Sequence, residues 1–328
     1  MTLRVGMFGC GAIARRSHIP AFRNCAGVDI VAFASRTVES ATAAAGEWGG
    51  GDVSSDWRSV IGRDDVDAID ICSPNAFHHE QAIAAAEAGK HVLVEKPMAT
   101  TPSEADDMIG AAEAAGVVLH VAHNMRYIPA LIAARAAAPR LGNILAVRTA
   151  FGHSGPRDWA PDSTWFFDKS LSGGGALIDL GVHAIDFTRY VTGLDITEVS
   201  AMTSGDGGVE DAAQVLLRFD NGSTGVLHAS WVARPAPDFG LMVFGTQGTL
   251  RVDATRPPSL RKASGEKEDL ELPSVETNVC SDFVRAIDGD AIPGPAEPAS
   301  GSEGRTAVAV VAAAYESARS GRTTEVAR

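Results

Sequence analysis

The chain has 328 residues, of which 45% are hydrophobic and 21% charged, a composition that is typical of a soluble globular protein of roughly two domains. Its net charge of −13, with no segment rich in Lys and Arg, argues against nucleic acid and anionic membranes as partners. A strand-like run that begins at Leu3 leaves no room for a signal peptide, and no apolar run is long enough to cross a bilayer.

The four cysteines are scattered along the chain, at Cys10, Cys25, Cys72 and Cys280. None stands in a C-x-x-C pair or at zinc-ligand spacing with a histidine, so we predict no metal site. Isolated thiols without an export signal are typical of a reducing compartment, and we therefore expect a cytoplasmic protein.

The first predicted elements are a buried strand over residues 3–8, a glycine-rich turn and a helix. The turn reads Gly9-x-Gly11-x-x-Ala14, the pattern of a dinucleotide-binding turn between a strand and a helix. Gly9 suits the tight turn, and Gly11 would let the backbone approach a pyrophosphate at the positive end of the helix. The expected cofactor contacts here are Gly9, Cys10, Gly11, Ala12 and Ile13. Cys10 is interpreted as a small turn residue, and a plain βα turn is the structural alternative.

A second strand over residues 29–34 ends at Ser35 and Arg36. An NAD-binding protein usually carries an acidic residue at this strand end, which binds the ribose 2′-hydroxyl. A hydroxyl and a guanidinium would instead bind a 2′-phosphate. The sequence therefore favours NADP(H), with NAD(H) possible if Arg36 is only a surface residue.

Strands and helices continue to alternate through the first half of the chain. The predicted strands cover residues 66–71, 91–94 and 117–121, and the predicted helices cover 77–88 and 103–115. This alternation predicts a doubly wound parallel sheet, with ligands bound at the carboxyl ends of its strands. The residues that follow strand ends, and that we expect to converge, are Gly9, Ser35, Ser73, Lys96 and Asn124. Because Lys96 precedes Pro97, the pair predicts a turn, with a cis bond as one possibility.

From about Asn124 the pattern changes to consecutive extended runs, at residues 144–153, 198–204, 212–219, 223–233, 239–245 and 249–252. Asp220-Asn-Gly222 is a hairpin signal between two of them. These runs predict an α+β domain with an open, mostly antiparallel sheet. The expected division is a Rossmann domain over 1–122, a substrate and oligomerisation domain over 123–300, and a C-terminal helix and tail over 301–328. Residues 152–172 are rich in aromatic side chains and are expected to cover the cleft; the structural alternative is a loop that packs on its own aromatic core. A linker is expected over 288–304 and a last helix over 305–319.

Residues 170–190 carry the strongest catalytic signal. Three glycines, Gly173 to Gly175, precede a run with helical apolar spacing, in which Asp179 and His183 stand four residues apart. On a helix this spacing places both side chains on one face, where the carboxylate can orient the imidazole for general acid/base work. A buried helix with a structural Asp–His pair is the alternative.

Taken together, Gly9-x-Gly11-x-x-Ala14, Glu95-Lys96-Pro97 and the segment from Gly173 to Asp186 resemble the Gfo/Idh/MocA family of oxidoreductases. The resemblance extends over nearly the whole chain and implies a Rossmann domain, a sheet domain that forms homodimers or homotetramers, and a nicotinamide cofactor. It implies Lys96, Asp179 and His183 as the catalytic residues. The further cofactor contacts that we expect are Ser73, Pro74, Asn75, His78, Glu95, Lys96 and Asn124, and the expected substrate contacts are Lys96, Arg126, Tyr127, Trp165, Asp179 and His183.

One departure from the family pattern concerns the residues before the glycine run. Many members have Trp-Arg there, whereas this chain has Trp165-Phe166, so we expect a more apolar pocket at this point. The implied activity is hydride transfer between NAD(P) and a secondary alcohol or ketone of a sugar, inositol or related polyol. The alternatives are an NAD-dependent glycosidase that acts by transient oxidation and elimination, and a non-catalytic sensor of sugar and dinucleotide. Because members of the sensor class often lose the lysine or the histidine, the presence of both favours an enzyme.

Overall fold

A computed structural model describes residues 2–205, 208–234, 237–253, 256–291 and 294–328. The strands among them are β1 (Leu3–Phe8), β2 (Val28–Ala34), β3 (Asp52–Ser54), β4 (Ala68–Ile71), β5 (His91–Val94), β6 (Leu119–Val121), β7 (Ile144–Gly152), β8 (Ile196–Ser204), β9 (Ala212–Phe219), β10 (Thr224–Ser230), β11 (Asp238–Gly245), β12 (Gly248–Asp253), β13 (Arg256–Lys262), β14 (Lys267–Asp269), β15 (Ala299–Ser300) and β16 (Thr324–Glu325).

The α-helices are α1 (Ile19–Arg23), α2 (Val38–Trp48), α3 (Arg58–Ile61), α4 (His78–Glu87), α5 (Pro102–Ala115), α6 (Pro129–Ala137), α7 (Pro156–Trp159), α8 (Lys169–Ser172), α9 (Val182–Thr192), α10 (Val279–Asp288) and α11 (Gly301–Ser320). Two π-helical turns, Ala14–His18 and Leu177–Gly181, precede α1 and α9. Short 3-10 turns cover Asn75–Phe77, Asn124–Tyr127, Ala138–Leu141 and Thr164–Phe167. None of the helices in the described ranges is long and apolar enough to cross a membrane.

The first compact unit comprises residues 1–123 and 277–305 and is built on a seven-stranded sheet. Its order is β15-β6-β5-β4-β1-β2-β3, and every pair is parallel except β15 with β6. The central strands β4 and β5 are almost wholly buried, as expected for a parallel sheet covered on both faces. The strand order reverses between β1 and β4, and ligands of doubly wound sheets bind at such a switch point. The predicted Rossmann architecture is confirmed.

The second unit comprises residues 124–276 and 306–328 and is built on a nine-stranded sheet. Its order is β14-β13-β12-β11-β7-β10-β9-β8-β16, and among the described strands only β7 and β10 pair in parallel. Helices α6 and α9 pack on this sheet, against β12, β13, β7 and β10. The predicted mostly antiparallel sheet is therefore confirmed. The hairpin between β9 and β10 turns at Gly222, whose φ of 83° is a conformation that favours glycine.

The division into units differs from the expected boundaries of 1–122, 123–300 and 301–328. Residues 277–305 belong with the first unit, because α10 packs against α1 and β5, and β15 adds an antiparallel edge strand to β6. The expected linker over 288–304 therefore contains the end of α10, β15 and the start of α11, while residues 292 and 293 lie outside the described residues. The last helix runs over Gly301–Ser320, longer than the predicted 305–319.

Candidate functional site

The glycine-rich turn after β1 has the local geometry that the Gly9-x-Gly11 pattern requires. Gly9 has φ of 81°, and a Cβ there would lie 2.3 Å from the backbone nitrogen of Ser73, so only glycine fits. A Cβ on Gly11 would meet nothing within 4 Å, so the backbone there faces open space that a phosphate could enter. Ala12 and Ile13 follow in the first helical turn. Cys10 is buried, and burial raises the pKa of its thiol to about 12, which keeps it protonated.

The end of β2 carries the two residues that bear on cofactor choice. Ser35 is half-buried, and its backbone N–H donates to the carbonyl of Ser54 at 3.1 Å. Arg36 is exposed, so its guanidinium is open to a ligand at this strand end.

The loop after β4 is fixed by hydrogen bonds to buried side chains. Ser73 is buried and its hydroxyl donates to Oε1 of Gln81 at 2.7 Å, while Pro74 and Asn75 follow at the start of a short 3-10 turn. His78 is fully buried, with Nε2 2.8 Å from the carbonyl of Ser73 and Nδ1 2.8 Å from that of Pro97. The ring of His78 therefore bridges the loops after β4 and β5 and is not exposed to solvent. The sequence analysis had predicted that His78 contacts the cofactor.

Lys96 lies at the carboxyl end of β5, next to a buried carboxylate. The Lys96–Pro97 bond is cis. Glu95 is buried, with Oε1 2.9 Å from Nε2 of His18, and its Oε2 accepts the backbone N–H of Lys96 at 3.0 Å. Thus Gly9, Ser35, Ser73 and Lys96 all follow strand ends of the first sheet, as expected. Asn124 also follows a strand end, that of β6, but it belongs to the second unit, where it is exposed.

In the second unit, the glycine run makes room for protein atoms. A Cβ on Gly174 would lie 2.0 Å from the hydroxyl oxygen of Tyr315, and one on Gly175 would lie 1.9 Å from the carbonyl oxygen of Glu210. The carboxylate of Glu210 accepts the backbone N–H groups of Gly175 at 3.0 Å and Leu177 at 2.9 Å. It also accepts the hydroxyl of Tyr315 at 2.8 Å. Glu210 therefore fixes the start of the helix that carries Asp179 and His183 and satisfies N–H groups that a helix start leaves open.

Asp179 and His183 are both buried, each with 6% exposure. Asp179 lies in the π-helical turn, where the N–H of Val182 bonds to the carbonyl of Leu177, and His183 lies in the first turn of α9. Such π-turns occur frequently at functional sites, and the spacing alone did not predict this one. The carboxylate of Asp179 accepts the indole N–H of Trp231 at 2.9 Å. The ring of His183 contacts Phe151 edge to face, with centroids 5.5 Å apart.

Arg126 was expected to bind substrate, but its guanidinium is buried and paired. Arg126 is 1% exposed and Asp186 is fully buried; Nη2 of the arginine lies 2.6 Å from Oδ1 of the aspartate. Its guanidinium carbon also lies 5.2 Å from the ring centre of Tyr190. These contacts give Arg126 a structural role inside the second unit. Tyr127, next to it, is half-buried.

Trp165 lies in the predicted aromatic segment and is half-buried. It stacks on Phe166, with ring centroids 3.9 Å apart, and Phe166 contacts Trp159 edge to face at 5.4 Å. The aromatic residues of the segment therefore pack on one another, which was the structural alternative to a cover over ligand.

One group in the described part of the chain has metal-ligand atoms close together: His18, Asp70 and Cys72, within 4.8 Å of one another. Both ring nitrogens of His18 already face carboxylates, Asp70 and Glu95, at 2.9 Å. Burial holds the pKa of the Cys72 thiol well above its usual value, so it is protonated and a poor ligand. The group is therefore better described as a buried ion pair than as a metal centre.

Sequence reasoning did not single out Trp231, Glu210 or Tyr315. The indole N–H of a buried tryptophan needs an acceptor, and a carboxylate near a helix start is favourable. The residue types of Trp231 and Glu210 therefore indicated that each has a polar partner. Nothing in the spacing shows which acceptor or which helix start each would meet, because the partners lie far apart in the chain.

Comparison with known proteins agrees with both units. Residues 3–123 match the oxidoreductase family with an NAD-binding Rossmann fold, and residues 130–251 match the GFO/IDH/MocA C-terminal domain. The chain is 33% identical over 336 residues to 1,5-anhydro-D-fructose reductase of Ensifer adhaerens, covering 98% of each protein. It is 30% identical to D-apiose dehydrogenase of Paraburkholderia graminis, over 98% of this chain and 88% of the relative.

Solved structures show the same likeness. An oxidoreductase domain protein from Kribbella flavida matches with a TM-score of 0.86 at 28% identity, and all of both chains is covered. Levoglucosan dehydrogenase in complex with NADH and levoglucosan matches with a TM-score of 0.83 at 28% identity, again over all of both chains. The motifs, the two units and these similarities together show that the chain belongs to the Gfo/Idh/MocA family of oxidoreductases.

Proposed function

We propose that this protein is an NAD(P)-dependent dehydrogenase or reductase that acts on a secondary alcohol or ketone of a sugar, inositol or related polyol. The observation that carries the proposal is the similarity to 1,5-anhydro-D-fructose reductase along 98% of both chains. Relatives named for levoglucosan, D-apiose and scyllo-inositol support the same substrate class. Within that class we expect cyclic polyhydroxy compounds, including anhydro sugars.

The residues of the glycine-rich turn suit a dinucleotide. Gly9 fits its tight turn only as glycine, and the backbone at Gly11 borders open space before the first helix. When bound, a nicotinamide supplies the hydride acceptor or donor for the reaction. The residues that would hold the dinucleotide are those of this turn, Ser35, Arg36 and the loop from Ser73 to Asn75.

The proton chemistry is assigned to three side chains. His183 takes the proton from the substrate hydroxyl in oxidation and returns it in reduction. Asp179, held by Trp231, keeps the imidazole oriented and stabilises its charged form. Lys96 donates a hydrogen bond to the reacting oxygen and stabilises the negative charge that develops there.

For the cofactor we propose a preference for NADP(H). The exposed Arg36 after β2, with Ser35 in the place of an acidic residue, supports this preference. Relatives differ in this respect: scyllo-inositol 2-dehydrogenase of Bacillus subtilis is named for NADP(+), whereas the levoglucosan dehydrogenase structure contains NADH.

We also propose that the chain forms a homodimer or homotetramer through the outer face of the nine-stranded sheet. On that face Met202, Leu216 and Val226 are 78%, 61% and 41% exposed. They lie among Glu198, Arg218 and other polar residues of neighbouring strands. A second copy of the chain would remove these apolar side chains from water, and sedimentation of the wild type and of Leu216→Lys would test this association.

The function is tested by measuring NADPH and NADH affinity by fluorescence and then screening sugars, anhydro sugars and inositols with the tighter cofactor. His183→Asn should lower turnover by about 10²–10⁴-fold with little change in cofactor affinity, because the histidine acts on the substrate proton. His79→Asn, at a half-buried histidine outside the proposed site, is the matched control. Turnover of His183→Asn near the wild-type rate would contradict the proposed role.

The same screen separates the alternatives. Cleavage of glycosides without net oxidation or reduction of the cofactor would favour the glycosidase. Binding of sugar and dinucleotide without turnover of any substrate would favour the sensor.

A further inference from the structure

A buried cluster of three charged residues, His18, Asp70 and Glu95, lies behind the glycine-rich turn. The proposed chemistry does not use it. His18 closes the π-helical turn Ala14–His18 and is 1% exposed. Its Nδ1 lies 2.9 Å from Oδ1 of Asp70 in β4, and its Nε2 lies 2.9 Å from Oε1 of Glu95 after β5. One imidazole thus joins the first helical segment to the ends of two neighbouring strands.

The geometry requires this imidazole to carry both of its protons. A neutral ring has one N–H and would turn a lone pair toward one of the two carboxylates. Burial by itself lowers the pKa of His18, but the charge of the neighbouring Asp70 carboxylate outweighs it and holds the pKa well above the usual value. The Cys72 thiol, 3.7 Å from Oδ2 of Asp70, also faces the pair.

Glu95 passes this constraint on to Lys96. One oxygen of its carboxylate is held by His18, and the other accepts the backbone N–H of Lys96 at 3.0 Å. Glu95 therefore cannot turn toward or away from the lysine without breaking a bond to the imidazolium. Since both groups are buried, breaking it would leave an unsatisfied charge.

We infer that His18 is a positioning residue for Lys96: through Glu95 it fixes the backbone from which the lysine side chain extends. The inference rests on the proposed function, in which Lys96 donates to the reacting oxygen. It assigns to His18 no contact with substrate. It also explains why a charged residue is placed in the interior of the first unit, where an apolar side chain would pack at lower cost.

The test is a double-mutant cycle with His18→Gln and Lys96→Met, measured as single-turnover reduction or oxidation of the bound nicotinamide. In the chain that retains Lys96, we expect His18→Gln to slow turnover by about 10²-fold, because small displacements of a reacting group have effects of this size. In the Lys96→Met background the same substitution should change the rate by less than about threefold, since residues that act through one another are not additive. His18→Gln should leave the affinity for the cofactor nearly unchanged in both backgrounds.

The outcomes separate the two proposals. Equal rate losses from His18→Gln in both backgrounds would overturn the positioning role and leave the function of Lys96 standing. A near wild-type rate for Lys96→Met would contradict the role of Lys96 and, with it, that of His18. His79→Asn, which removes a half-buried histidine beside Asp107, is the control and should leave every rate unchanged. If His18→Gln does not fold, as judged by circular dichroism, Glu95→Gln takes its place in the cycle, because an amide has one oxygen and cannot accept the N–H groups of both His18 and Lys96.

Discussion

The indole of Trp231 donates its N–H to Oδ2 of Asp179 at 2.9 Å, and both residues are buried, with 3% and 6% exposure. Trp231 directly follows β10, whereas Asp179 lies in the π-helical turn before α9. The hydrogen bond therefore sets the orientation of the carboxylate from outside the helix that carries it. Trp231 therefore contributes, through Asp179, to the orientation that we propose for the imidazole of His183.

Trp231→Phe should lower turnover about tenfold and destabilise the protein by about 1–3 kcal/mol, because it leaves a buried carboxylate without one of its donors. Turnover and urea unfolding measure the two effects. Trp48→Phe is the matched control, since Trp48 makes the same bond to Asp29 at 3.0 Å on the surface. If both variants behave alike, the bond to Asp179 has no special role.

Gly175→Ala should destabilise the protein, because the added Cβ would lie 1.9 Å from the carbonyl of Glu210 and the backbone would have to move. Overpacking of this kind costs about 1–3 kcal/mol. Gly110→Ala provides a control of opposite sign: Gly110 is exposed inside α5 and a Cβ there would meet nothing within 4 Å. That substitution should stabilise the protein by about 0.5–1 kcal/mol, and chemical unfolding of the two variants gives the comparison.

Arg126→Met should cost about 3–5 kcal/mol of unfolding free energy, because it leaves the carboxylate of Asp186 buried without its partner. Adding Asp186→Leu should recover much of this loss. The exposed pair of Arg140 and Glu268 is the control, and Arg140→Met should have little effect. A rise in KM without loss of stability in Arg126→Met would instead support the substrate contact that the sequence predicted.

Arg36→Ala should weaken NADPH binding by about 10- to 100-fold, the effect of losing a charge-assisted hydrogen bond, and should change NADH binding little. Ser35→Asp should shift the preference the other way, because a carboxylate repels a 2′-phosphate and can bind a ribose diol. Fluorescence titration with both nucleotides measures this. Equal losses for NADPH and NADH in Arg36→Ala would count against the NADP(H) preference.

His120 should make the protein sensitive to acid. Burial lowers its pKa to about 4, so between there and the unfolded value of about 6.5 only the unfolded chain holds the proton. The unfolding free energy should therefore fall as pH decreases through this window. His120→Phe keeps a ring against Phe283, whose centroid lies 6.0 Å away, and should be less acid-sensitive than the wild type. Urea unfolding at pH 7.5 and 4.5 is the measurement, and parallel losses in both proteins would refute the assignment.

Local pattern determined a large part of this molecule. The Gly9-x-Gly11-x-x-Ala14 turn, the alternation that makes the parallel sheet, the Asn-Gly hairpin and the family membership could all be predicted, because each depends on residues within one short window or on an ordered set of such windows. The helix Val38–Trp48 and the helix Val279–Asp288 were not predicted, although Thr37 and Asn278 cap them through side-chain oxygens. Both capping residues are visible in the sequence, so these two helix starts could have been predicted.

The tertiary structure alone decided what those residues meet. The space beside the glycines at 174 and 175 holds Tyr315 and Glu210, which the sequence did not indicate. Arg126 looked available to substrate, yet it is buried against Asp186. The partners in these contacts stand from 35 to more than 100 residues apart, and the bond from Trp231 to Asp179 spans 52. A spacing rule applies to residues that are close along the chain. These pairings instead follow from how helices and strands pack, because packing brings side chains that are distant in sequence into the same close-packed interior.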